Sequence, residues 1–186
     1  LFTLLALTIS FSMNAQMSDN SIGTSATGTY AVAMGGDTTA SGNYSTAMGQ
    51  NTTASGTRST AMGTQTTASG NYSTAMGWST TASGNYSTAM GVGTSASGYA
   101  STAMGYYTTA SDYGSLVIGL YNSSGSSVTN NATSFSTSNT AFVIGNGADS
   151  SNKSDAFKVM FNGDTTVSND LTVSGDVVIS SDARLK

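Results

Sequence analysis

The sequence predicts an all-β chain: a parallel β-roll of seven 14-residue coils, followed by a shorter β-stalk. Three observations carry this expectation. Methionine recurs every 14 residues at Met34, Met48, Met62, Met76, Met90 and Met104, and Ile118 takes the seventh place. Glycine follows each of these, and a second series, Gly28, Gly42, Gly56, Gly70, Gly84 and Gly98, keeps the same phase until Asp112 interrupts it. Within each unit, "YSTAMG" alternates side chains with the period of two that a strand requires.

The chain opens with "LFTLLALTISFSMNAQ", an apolar run with the length of a secretory h-region and too short to span a bilayer. Cleavage after Ala15 is expected, leaving residues 16–21 as a lead-in. Export is compatible with the absence of cysteine, because the fold then relies on no disulfide.

The roll follows, from Ile22 to Gly119. Fourteen residues also make two heptads, but two glycines and several Ser/Thr per unit are too costly for a helix, which removes a coiled coil. Each unit reads as a strand, a turn, a second short strand around "TTAS", and another turn. Alternation puts Thr46 and Met48 on one face of the long strand and Ser45 and Ala47 on the other. In the outer units Val32 joins Met34, and Leu116 joins Ile118. The Thr/Met face is expected to point into the roll, and both glycine series to supply left-handed corners. Seven coils at strand spacing make a rod of roughly 35 Å. So thin a core scarcely offsets backbone entropy above ~1 kcal/mol per residue. Small outward Ser45 and Ala47 then suit close approach of identical chains. A monomeric solenoid is the alternative.

Residues 120–140 are polar and read as a loop. Alternation returns in "AFVIGNG" and in "DAFKVMFNGDTTVSNDLTVSGDVVIS", with Phe157, Val159 and Phe161 on one face and a hairpin signal at Asn162–Gly163. Residues 141–180 are therefore expected to form the stalk.

Composition excludes several functions. Charged residues are 8% of the 186, the net charge is −4, and the only cations are Arg58, Lys153, Lys158, Arg184 and Lys186. No nucleic-acid surface is expected from so few, because phosphate neutralisation needs clustered basic residues. With no His or Cys, and Asp only at 37 and 112 within the repeats, no metal, cofactor or acid–base site is expected there. Candidate ligand contacts are the aromatics Tyr44, Tyr72, Trp78 and Tyr86, with Tyr99, Tyr106 and Tyr107. They could stack on sugars or anchor a protein, or simply cover the thin roll and its neighbours.

The unit "NYSTAMGQNTTASG" resembles the head repeat of trimeric autotransporter adhesins, with pattern N-S-V-A-I-G-x-x-S-x-A-x-G. Asn43, Ser45, Ala47, Gly49, Ala54 and Gly56 match, while Thr46 and Met48 stand where that family has Val and Ile. The resemblance spans residues 22–119 and implies left-handed parallel β-rolls, three chains side by side, on a bacterial cell surface. The end, "SSDARLK", resembles the opening of the endosialidase-type intramolecular chaperone of phage tail fibres, and the stalk resembles what precedes it. That resemblance implies chaperone-assisted trimerisation and one self-cleavage between Ser180 and Ser181, by a dyad of Ser181 and Lys186 in residues 181–186, with the rest of that domain lying beyond this sequence.

Three function classes follow: a secreted trimeric surface fibre, structural or adhesive, with no membrane span after cleavage and a protein or glycan ligand; a phage tail-fibre receptor binder, which export disfavours; and an ice- or mineral-binding solenoid. The third is motivated by Thr pairs at 38–39, 52–53, 66–67, 80–81 and 108–109, although such pairs are expected at a turn in an adhesin-like roll.

Overall fold

The computed structural model describes residues 17, 18, 23–123 and 132–174. The predicted leader lies outside them, as do the dyad residues Ser181 and Lys186 and the cleavage point. Among the described residues every regular element is a strand.

Each coil contributes one five-residue and one two-residue strand. The long strands are Val32–Gly36, Thr46–Gln50, Thr60–Thr64, Thr74–Trp78, Thr88–Val92, Thr102–Tyr106 and Leu116–Leu120. They pair in parallel without a register shift, Met48 beside Met62 and Met62 beside Met76. The short strands, Ser25–Ala26 through Thr109–Ala110, form a second parallel sheet of seven. Two sheets closed by tight corners make a β-solenoid, as the period predicted.

The face assignment is inverted. Ala33, Ala47, Ala61, Ala75, Ala89 and Ala103 fill the lumen from the long strands, and Ala40, Ala54, Ala68, Ala82, Ala96 and Ala110 fill it from the short ones. Ser45 and Thr38 and their equivalents complete it, while Thr46 and Met48 point outward, half-exposed. Alternation gives two faces but not which is inside; coil width decides that. Two sheets joined by corners of a few residues lie too close to admit a methionine from every rung, so alanine takes the inside. The outward Met ranks are then the apolar surface left uncovered, and the small residues expected to face neighbouring chains are sealed within.

The corners also differ from expectation. Gly35, Gly49, Gly63, Gly77, Gly91 and Gly105 hold φ between 112° and 124°, positive as predicted, but they lie inside the long strands and not at a corner. Gly42 and its equivalents do not have positive φ. Their glycine is required by stacking, since a Cβ on Gly42 would lie 2.0 Å from the carbonyl oxygen of Gly56. The left-handed corners fall instead on Tyr30, Tyr44, Arg58, Tyr72, Tyr86 and Ala100, at φ of 54–60°, and on Asp37, Asn51, Gln65, Ser79 and Tyr107, at 52–56°. The series ends at Asp112 because no further short strand stacks on it. Its side chain is buried, and Oδ2 accepts a hydrogen bond from the Thr140 amide at 2.9 Å.

The roll runs one rung past its predicted end. Thr140–Asn146 pairs in parallel with Leu116–Leu120, setting Val143 beside Val117 and Ile144 beside Ile118. This segment, assigned to the stalk from sequence, repeats "VIG" and so fits the same slot. Asp155–Met160 and Thr165–Val167 then fold back antiparallel around Asn162–Gly163, and Gly163 has a φ of 92°. At the other end Met17–Ser18 lies parallel to Val32–Ala33.

Candidate binding surface

Three surfaces run the length of the roll: the outward long sheet, the outward short sheet, and the corner between them that carries the tyrosines.

The corner forms a continuous column. Tyr30 stacks on Tyr44, with centroids 5.2 Å apart, and Tyr72 on Tyr86 at 4.9 Å and 6° between planes. Arg58 occupies the intervening position, its guanidinium 5.0 Å from the Tyr44 centroid and 5.3 Å from that of Tyr72. Its Nη1 also donates to the Tyr72 hydroxyl at 2.8 Å. The column passes to Tyr99 and Tyr113, stacked at 5.0 Å, and on to Phe135 and Phe161. The sequence singled out Tyr44, Tyr72, Tyr86 and Tyr99 but missed Arg58, Tyr30, Tyr113, Phe135 and Phe161. The 14-residue spacing of 30, 44, 58, 72 and 86 was the available signal for the first two. From the sixth coil the aromatic moves back one residue, so Ala100 holds the corner and Tyr99 carries the ring.

Stacking along the axis has a chemical consequence. In the stacked pairs Tyr30–Tyr44, Tyr72–Tyr86 and Tyr99–Tyr113 each ring gives a face to its neighbour, and Arg58 lies over the Tyr44 and Tyr72 rings between the first two pairs. Sugar recognition uses an open ring face, so this geometry fits covering and stiffening the corner better than sugar stacking. Burial of part of the ring, followed by the charges of Tyr86 and Tyr113, pushes the Tyr99 phenol above its ordinary pKa. Asn side chains add a second seam: Thr29, Thr57 and Asn71 amides donate to the Oδ1 atoms of Asn43, Asn71 and Asn85 at 2.9–3.0 Å.

These coils carry a family's signature in register as well as in sequence. A family model, YadA head domain repeat (2 copies), matches residues 26–52, 54–80, 68–94, 82–108 and 96–122, over half of the chain. The chain belongs to the YadA head repeat family. No curated protein matches it. The YadA head assignment agrees with the resemblance drawn for residues 22–119.

Trp78 stands apart from the other aromatic candidates. It ends a long strand of the YadA head roll and is 45% exposed, in register with Val92, which is followed by Tyr106 and Leu120. Tyr106, Tyr107 and Tyr121 cluster around the adjoining corner. On the short sheet one member of each Thr pair is buried (Thr38, Thr52, Thr66, Thr80, Thr108), while Thr39, Thr53, Thr67, Thr81 and Thr109 project outward from a strand. Each Thr pair therefore straddles the corner and the second sheet: the first Thr directly follows the left-handed corner residue, and the second opens the short strand. Among the described residues no group of three His, Cys, Asp or Glu could hold a metal ion, and no helix is long and apolar enough to cross a membrane.

Proposed function

We propose that this chain is the head segment of a bacterial surface fibre, structural and adhesive, in which three copies pack their outward long sheets about a common axis. The observation that carries this reading is the inverted lumen. Alanine fills the inside, so the Met and Thr ranks from Val32 to Ile118 are half-exposed on an uncharged sheet that only another surface can cover. Family membership supports three as the number of chains. The leader-like residues 1–15 support export, and "SSDARLK" supports a maturation step that hydrolyses the Ser180–Ser181 bond with Ser181 as nucleophile and Lys186 as its base.

Light scattering on the purified chain, with far-ultraviolet circular dichroism on the same sample, tests the assembly. A β-rich trimer is the expected result; a folded monomer at all concentrations refutes it. Mass spectrometry after expression, with a Ser181→Ala variant beside the parent, tests the maturation step. A parent chain that stays uncut in its full-length context refutes that step.

A second reading is favoured by the outward Thr39, Thr53, Thr67 and Thr81, spaced by one strand repeat and continued by Ser95 and Thr109, on a sheet whose exposed flanking positions Ser41, Ser55, Ser69 and Ser83 also carry hydroxyls. Such an uncharged hydroxyl and methyl array suits ordered water. Inhibition of ice recrystallisation by the chain, lost on Thr67→Lys, tests it; no inhibition by the folded chain removes it.

A further inference from the structure

A solenoid of near-identical coils has a problem when it assembles with itself. The Met ranks repeat at every coil, so sliding one chain past another by one rung restores almost the same contacts. Something unlike the repeat must fix the register. The outward position two residues after each Met supplies it. Reading along the rod, that position holds Gly36, Gln50, Thr64, Trp78, Val92, Tyr106, Leu120 and Asn146, all in direct register. Three coils are small or polar, four consecutive coils are apolar, and the last rung is polar again. Trp78, Tyr106 and Leu120 are 45%, 41% and 49% exposed, beside the half-exposed Met76, Met90, Met104 and Ile118 on the same face.

We infer that the Trp78–Val92–Tyr106–Leu120 row is a contact between parallel copies of this chain that sets their register. The inference rests on the self-packing of the long sheet proposed above. The row continues that sheet's apolar ranks, and it bears no charge, so identical copies meet without repulsion. Among parallel arrangements, only chains at the same level oppose all four apolar positions to apolar ones. A slip of one rung would set Trp78 against Thr64 and Leu120 against Asn146. Desolvating those polar groups against an aromatic or aliphatic partner, with no hydrogen bond in return, is the cost that rejects the wrong alignment.

The chain has one tryptophan and no cysteine, which makes the test clean. Light scattering establishes whether the full chain assembles, and acrylamide quenching reads Trp78 in the same sample. An assembly with Trp78 shielded relative to the dilute chain is the expected result. An assembly in which Trp78 is as accessible as in the dilute chain overturns the inference and leaves self-packing standing; a chain monomeric throughout overturns both. Register is read with an equal mixture of Thr74→Cys and Thr102→Cys chains, one isotopically heavy. Two rungs separate these positions, about 10 Å, beyond the reach of a disulfide between in-register copies. Like-with-like disulfides are expected in the parent background, with mixed ones appearing once Trp78→Gln, Tyr106→Gln and Leu120→Gln are added. Mixed disulfides already abundant in the parent background, or none in the triple variant although it assembles, overturn the inference.

Discussion

Replacing Gly56 by Ala tests the stacking of the coils at a single atom. The added Cβ would sit 2.0 Å from the Gly70 carbonyl oxygen, 2.5 Å from its carbon and 3.0 Å from the Ser69 oxygen. Every one of these is backbone, so no side chain can swing away, and the two coils must separate by more than 1 Å to reach ordinary contact. Hydrogen bonds cross that step from the Ser55 and Gly56 amides to the Ala68 carbonyl at 3.0 and 3.2 Å, and from the Tyr72 amide to the Thr57 carbonyl at 2.8 Å. Losing two or three of them at about 1 kcal/mol each, together with strain, gives a destabilisation of about 2–4 kcal/mol. Urea unfolding followed by circular dichroism reads the difference. Gly36→Ala is the matched control, because a Cβ there meets nothing within 4 Å and φ is not positive, and it should leave the midpoint unchanged or slightly raised. A Gly56→Ala chain that unfolds at the parent's urea concentration would refute the stacking argument.

Four further outcomes follow from the same geometry. Thr66→Val should stabilise by about 1 kcal/mol in urea unfolding, because the Thr66 hydroxyl is buried with no hydrogen-bond partner and valine preserves its shape. Arg58→Ala should cost about 1 kcal/mol by opening the aromatic column, whereas Arg58→Tyr should restore most of it by completing the stack; equal losses would count against ring stacking as what the column needs there, and no loss on Arg58→Ala would count against the cation–π contacts. Ser79→Gly should stabilise by about 0.5–1 kcal/mol, since Ser79 holds φ at 54° where the next coil already has Gly93 at 62°. The raised Tyr99 and Tyr121 phenols, displaced first by partial burial and then by neighbouring tyrosines, make stability fully present below the ordinary value of 10.0 and lost as pH rises through their folded values. Tyrosinate absorbance should therefore show a late-titrating fraction, followed by alkaline loss of β-structure; a single unshifted titration would contradict it.

Much of the architecture was legible because 14-residue spacing fixes coil count, and alternation in "STAMG" fixes the long strand. What alternation could not give was the sign of the faces. Thr46 and Met48 read as core because they are larger and more apolar, yet the closeness of the two sheets, set by corner length, reserves the lumen for Ala47 and Ser45. The two glycine series look alike in sequence but answer different demands: Gly49 a positive φ, Gly42 a carbonyl at its back. The Thr140–Asn146 rung was hidden by the intervening polar segment, although "VIG" at 117–119 and 143–145 was the signal. The tyrosine column was half visible. Its periodic members share a phase with Arg58, but only coordinates show that Tyr99 and Phe135 continue it.

The hydrogen bonds between successive coils, such as Thr53 to Thr66 and Thr67 to Thr80, at 2.8 Å each, point along the rod. Tension between the two ends of a single chain therefore loads the coil junctions in series, and each junction feels the full force. The weakest opens alone while the rest stay wound. Each coil that opens converts one strand spacing into 14 residues of extended backbone and pays out about 40 Å of length. A roll built this way yields in discrete steps under load and rewinds onto the coils that remained, lengthening where a stiffer rod would break.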